Sequence, residues 1–225
     1  MNTIIAIFVK QLNDFPRNLT VSLMYILFPG MAFVMGSLNG NMEASAGIFA
    51  AMFIGTTPMI AICMTVAEDR EYKSLRFLVM AGVKPSQYLF GLTGFVLLMS
   101  ILPLAFLIYI GGFYESNLFH FVFISILGLV ASALLGAAIG IFSKNVQQAT
   151  AIYTPLMMIM VMGPMFASAN ETLERIIEYL FSFQVFLIAL HPEPDILQAY
   201  IIITANIIAL LAFFIFAYKK KGMRG

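Results

Sequence analysis

QAYIIITANIIALLAFFIFAY (198–218), followed at once by KKKGMRG (219–225), decides the class of this protein. The first run contains no Lys, Arg, Asp or Glu. About 20 apolar residues of helix cross the hydrocarbon core of a bilayer. The cluster Lys219, Lys220, Lys221 and Arg224 then holds one end of that helix at an interface, as the bias of basic residues toward the cytoplasmic side requires.

Working back from this segment, five others have the same character. They run from about Leu19 to Leu38, Gly47 to Ala67, Gln87 to Ile110, Leu118 to Phe142, and from near Ala149 to Ala167–Asn170, and none holds a charged residue in its interior. If the intervening loops are assigned alternately to two sides, only Arg175 of the 12 Lys and Arg falls opposite the termini. The expectation is an all-α polytopic membrane protein with six transmembrane helices and both termini in the cytoplasm of a plasma (inner) membrane. The 225 residues are 61% hydrophobic and 10% charged, against about 25% charged in soluble domains. They form one transmembrane domain over 1–225, with no room for a nucleotide-binding or catalytic domain. The net charge of +1 does not suggest nucleic acid as a partner; membrane lipid is the surrounding medium.

The segments between the spans have their own readings. Residues 1–17 (MNTIIAIFVKQLNDFPR) are too short and too charged to cross. Ile4, Ile5, Phe8, Val9 and Leu12 recur at helical spacing, which predicts an N-terminal interfacial helix ending near Pro16; a frayed extension of the first span is the other reading. Lys10, Asp14 and Arg17 ahead of the first apolar run argue against a signal peptide. Glu43 is placed in a short outer loop. Residues 68–86 (EDREYKSLRFLVMAGVKPS) are the most charged stretch, predicted as a helix with Glu68, Asp69 and Glu71 in its first turn, where the helix dipole favours acids. Residues 171–195 predict an outer interfacial helix followed by a short re-entrant helix; a seventh crossing would put the basic C-terminus outside. With Trp absent, interface anchoring falls to Tyr88, Tyr109, Tyr114, Tyr200 and Tyr218.

Chemistry is sparse. A membrane-embedded site usually contains buried ionisable groups, and the spans have none. His120 and His191 belong to no metal-ligand pattern, Cys63 has no thiol partner in the chain, and no GxxxxGK[ST] loop occurs. No catalytic, cofactor-binding or metal-binding residue is assigned, so the chain is not an enzyme by itself. Gly136 and Gly140 have the small-xxx-small spacing of close helix packing. The break Thr56-Thr57-Pro58 reads either as a packing kink or, with Tyr153, as part of a substrate pathway. The 16 methionines supply either gap filling or an adaptable surface.

Asp69-Arg70-Glu71-Tyr72-Lys73-Ser74-Leu75 and the apolar run to Val83 resemble the first cytoplasmic loop of ABC-2 type (type V) exporter permeases, whose motif is of the kind E-basic-E-x-G-T-L. Lys73 replaces the usual Gly, and Gly82 stands where Pro is common. Phe142–Ala149 resembles the loop before the fifth span of that family, and 171–195 its outer re-entrant helices, although the common Asn-Pro-Leu is missing. The resemblance implies a membrane permease whose loop 68–86 is a coupling loop on two cytoplasmic ABC ATPase subunits, which bind ATP and Mg. The permease itself pairs as a homodimer or with a related subunit. It further implies ATPase-coupling roles for Glu68, Asp69, Arg70, Glu71, Leu75, Phe77 and Leu78. The expected function is outward movement of an amphipathic drug, peptide or lipid-like substrate in a bacterial or archaeal membrane. The rivals are a non-transporting membrane assembly protein and a stand-alone carrier or channel.

Overall fold

The computed structural model describes residues 3–112, 118–167, 171–190 and 195–221, and among these every regular element is a helix. In chain order they are α1 (Thr3–Asp14), a 3-10 turn (Phe15–Arg17), α2 (Leu19–Asn39), α3 (Met42–Glu71), α4 (Ser74–Met80), α5 (Pro85–Gly111), α6 (Leu118–Phe142), α7 (Val146–Ala167), α8 (Glu171–Ile177), α9 (Phe181–Leu190) and α10 (Ile196–Lys221). Among the described residues five helices are long and apolar enough to cross a membrane: α2, α3, α5, α6 and α10. The 22-residue helix α7 occupies the place of the remaining expected span. His191 and Tyr114 lie outside the described residues.

α3 is the hub. Its apolar window is 78% buried, whereas that of α10 is 17% buried at higher hydropathy. In a bilayer the apolar outside needs no cover, so burial follows side-chain size rather than hydrophobicity. α3 and α6 meet along glycines of α6: a Cβ on Gly136 would collide with the backbone of Met59, and one on Gly140 would lie 2.9 Å from Cys63 O. The same seam repairs the break at Pro58, inside α3. Ser132 Oγ accepts from Met59 N and donates to Gly55 O, both at 3.1 Å, bridging a donor and an acceptor four residues apart in the helix. Gly136 and Gly140 thus pack closely against α3, and Pro58 lies inside that helix.

Asn18 separates α1 from α2 and caps the latter, its Oδ1 accepting from Val21 N at 3.2 Å. α1 is thus its own element rather than an extension of the first span. It lies across α5, where Ile7 fits over Gly91 and Phe8 meets Phe95 edge-on. Ile5, Val9 and Leu12 remain exposed on its other side.

Two boundaries differ from expectation. α3 begins at Met42, so Glu43 sits in its first turn rather than in a loop, where a carboxylate suits the helix N-terminus. At its other end α3 runs on to Glu71, which places Glu68, Asp69 and Glu71 in the last turn of α3 and not in the first turn of the next helix. The break comes at Lys73, whose φ of 61° lies in the left-handed region where the family motif has Gly.

α8 packs on α7, and α9 packs on α3, α6, α7 and α10. Ile177 packs on Gly163 of α7, Ser182 lies against Gly55 in mid-α3, and Leu190 reaches Gly47 near the start of α3. Asn206 Nδ2 of α10 donates to Tyr179 O at 2.9 Å, tying the link between α8 and α9 to the middle of a long apolar helix.

Candidate functional site

The end of the bundle that carries the termini holds the predicted coupling loop, and its three consecutive charges bond to different helices. Asp69 is 4% exposed. Lys10 Nζ of α1 donates to its Oδ1 at 2.6 Å, and Tyr88 Oη of α5 donates to its Oδ2 at 2.7 Å. Arg70 Nη1 donates to Ser143 O at 2.9 Å and also to Ile141 O. Val146 N donates to Glu71 Oε2 at 3.0 Å.

These pairings follow helix electrostatics. Ile141 and Ser143 are at the C-terminal end of α6, where unpaired carbonyls favour a cation. Val146 is the first residue of α7, where an unpaired N–H favours a carboxylate. Arg70 and Glu71, adjacent and opposite in sign, thereby clamp the two sides of the short link Ser143-Lys144-Asn145. Between that link and α7, Gln148 Oε1 accepts from Lys144 N and Asn145 Oδ1 accepts from Gln148 N, each at 2.8 Å, a reciprocal cap on α7. One turn of α3 is therefore tied to α1, α5, α6 and α7.

The outward face lies further along. Leu75, 2% exposed, anchors α4 in the core, and Leu78 is half-buried against it. Tyr72, Phe77 and Met80 are 76%, 66% and 64% exposed, and Arg76 is exposed beside them. Of the residues predicted to meet an ATPase, Phe77 is thus on the surface, Glu71 is exposed but bonded within the chain, and Glu68 is half-buried. Asp69 and Leu75 are turned inward: the first would have to break two hydrogen bonds, and the second to leave the core, before meeting a partner. The loop between α4 and α5 is held by Tyr218 Oη of α10, which donates to Val83 O at 3.3 Å. Tyr88 and Tyr218, expected as interface anchors, are instead buried, their rings 6.1 Å apart.

The residues read as a pathway, Thr56, Thr57 and Tyr153, are all buried. Thr56 is fully buried and its hydroxyl donates to Met52 O at 2.7 Å; Thr57 is 1% exposed and its hydroxyl has no protein partner. Tyr153 packs with Met59, Ile60, Cys63 and Ala149 where α7 meets α3. His120 pairs through Nδ1 with Tyr200 Oη at 3.1 Å, beside Phe119 and Phe123.

Sequence reasoning missed Lys10, Tyr88 and Ser132. Their partners lie 59, 19 and 73 residues away, so no local spacing marks them. Lys10 carried the strongest hint, as a lone cation on an otherwise apolar amphipathic helix.

The model of the ABC-2 family transporter proteins matches residues 2–218, nearly the whole chain. The chain belongs to this family. It is accordingly a multi-pass membrane protein and the membrane component of an ABC transporter, a type of subunit that works with ABC ATPase partners. No curated protein matches it.

Proposed function

We propose that this ABC-2 family protein is the permease subunit of an ATP-driven exporter. It crosses the plasma membrane of a bacterium or archaeon six times, α7 included, with both termini in the cytoplasm. α8 and α9 re-enter from the outside. Two such permeases, identical or related, stand over two ATPase subunits that bind ATP and Mg, and an amphipathic drug, peptide or lipid-like substrate moves outward. The chain performs no bond chemistry.

The observation that supports this most is the three-way clamp at Asp69-Arg70-Glu71 beneath the exposed patch of Tyr72, Arg76, Phe77 and Met80. Exposed aromatic residues beside an arginine have the composition of an interface centre. A push on that patch acts on the last turn of α3, and the clamp passes it to α1, α5 and the α6–α7 link together. Thr56, Thr57 and Tyr153 would line a pathway only once α3 and α7 move apart.

The test is copurification. Tagged protein, expressed with its genomic ATPase neighbour and isolated in mild detergent, should bring down that ATPase and hydrolyse ATP. Tyr72→Ala with Phe77→Ala should lower the recovered ATPase about tenfold, as loss of an interface anchor does, while membrane insertion is unchanged. Recovery equal to the wild type would remove α4 as the docking element. A complex that never contains an ATPase would leave the stand-alone carrier or assembly reading.

A further inference from the structure

Once folded, the coupling loop presents the opposite charge to the one its acids suggest. Segments 68–86 and 143–148 contain the acids Glu68, Asp69 and Glu71 and the cations Arg70, Lys73, Arg76, Lys84 and Lys144. Folding withdraws the acids. Asp69 is buried on Lys10 and Tyr88. Glu68 is half-buried and borders a cavity beneath α1 together with Gln11 and Asp14. Glu71, the one exposed acid of these segments, is turned onto Val146 N. Of the cations only Arg70 is drawn inward, to the last carbonyls of α6. Lys73, Arg76, Lys84 and Lys144 are all exposed, and none forms an ion pair with a carboxylate of the described residues.

These cations share their surface with exposed Tyr72, Phe77 and Met80. Lys73 follows Tyr72 at the left-handed break, and Arg76 precedes Phe77 on α4. Lys144 lies in the link that Arg70 and Glu71 clamp, so the second cytoplasmic segment adds to the same basic end. An anionic bilayer surface and an acidic protein are the two occupants that such a surface fits. Length favours the protein. With 30 residues α3 is about 45 Å long, against about 30 Å of hydrocarbon, and the surplus carries the Tyr72–Lys73 break out of the apolar layer. Composition favours it too. Helices that lie on membranes separate their basic and apolar faces, whereas Arg76 and Phe77 are neighbours and both exposed, the mixture found at the centre of protein interfaces.

We propose that the ATPase surface received by α4 is an apolar pocket rimmed with Asp and Glu, and that the loop's own acids take no part in the contact. This rests on the coupling reading and adds to it the chemistry of the partner. Tyr72 and Phe77 fill the pocket, Arg76 pairs at its edge, and Lys73, Lys84 and Lys144 extend the positive field around it. The acids hold the turn together from inside, and the bases select what docks outside. Opposite potentials across an interface speed encounter and reject partners of like charge. A permease with this face is selective for an ATPase whose docking groove is acidic.

The test uses the full-length permease copurified with its genomic ATPase neighbour in mild detergent. A water-soluble carbodiimide joins an amine to a carboxylate without a spacer, so each cross-link reports which side supplied the base. Mass spectrometry should find Lys73 or Lys84 joined to Asp or Glu of the ATPase. Cross-links from Glu68 or Glu71 to ATPase lysines would overturn the proposal. Arg76→Gln should lower the recovered ATPase about tenfold and Arg76→Glu about a hundredfold, the added loss being repulsion between like charges. Lys84→Glu, outside α4, should act in the same direction, and thermal unfolding of each variant alone should match the wild type. Wild-type recovery should fall as salt rises, and Arg76→Glu should flatten that dependence.

Recovery of Arg76→Glu and Lys84→Glu equal to the wild type overturns the acidic pocket. If Tyr72→Ala with Phe77→Ala still lowers recovery in that case, the coupling reading stands and only the charge of the partner is lost. A complex that never contains an ATPase fails both. Labelling of α4 by a phosphatidylglycerol with a headgroup diazirine, in place of ATPase cross-links, would assign the patch to the bilayer and overturn the proposal as well.

Discussion

Asp69, Arg70 and Glu71 stand next to Tyr72, Phe77 and Met80 in the chain, yet the two groups face opposite ways. The charged residues bond inward, to Lys10 and Tyr88, to Ser143, and to Val146, while the large apolar residues are exposed. Water-soluble proteins train the opposite expectation. The reversal has a physical cause: the ends of α6 and α7 expose backbone groups that Arg70 and Glu71 satisfy, and the buried carboxylate of Asp69 is held by Lys10 and Tyr88. An exposed aromatic beside a basic residue, by contrast, is stabilised once a partner covers it.

Substitutions that separate the two groups test this contrast. The largest effect should come within α4 itself. Leu75→Ala should cost about 3 kcal/mol, since it empties a fully buried position. Phe77→Ala, two residues on, should change stability by less than about 0.5 kcal/mol. Thermal unfolding in detergent compares the pair directly, and equal losses would erase the inward–outward distinction. Next is Lys10→Ala, which strands the carboxylate of Asp69 with Tyr88 as its remaining partner. About 2 kcal/mol is expected, below the loss for a fully buried pair because the Lys10 side chain is 48% exposed. Asp69→Asn in the Lys10→Ala background should recover part of that loss; simple additivity of the two changes would show that they do not interact. The smallest effect belongs to Glu71→Gln, which keeps an acceptor for Val146 N and loses only the charge at the start of α7. A loss of about 0.5 kcal/mol is expected, shrinking in high salt. Insensitivity to salt would argue against a helix-dipole role.

Much of the fold was legible because the bilayer imposes a length and a charge rule. α2, α3, α5, α6 and α10 match runs such as 19–38, 87–110 and 198–218 closely, and the small-residue stripe of α6 marked its contact with α3. The site was less legible. The charged triplet stood out as special, but its apparent place at the start of a helix was wrong. Nothing local showed that α3 would continue to Glu71, because the groups that stabilise acids in its last turn come from α1, α5 and α7. The tyrosines show the same limit: Tyr88 looks like an interface anchor until Asp69 is seen beneath its hydroxyl.

The sequence by itself determined an all-helical membrane protein, the approximate span limits, and the loop where charge and apolar surface meet. Those properties depend on composition along the chain, which a bilayer reads segment by segment. Only the tertiary structure decided that Asp69 closes on Lys10, that Arg70 and Glu71 bridge the ends of α6 and α7, and that Gln11 and Glu68 border one cavity. These are pairings between residues tens of positions apart. A charge in the sequence says that a partner or water is needed; packing chooses which.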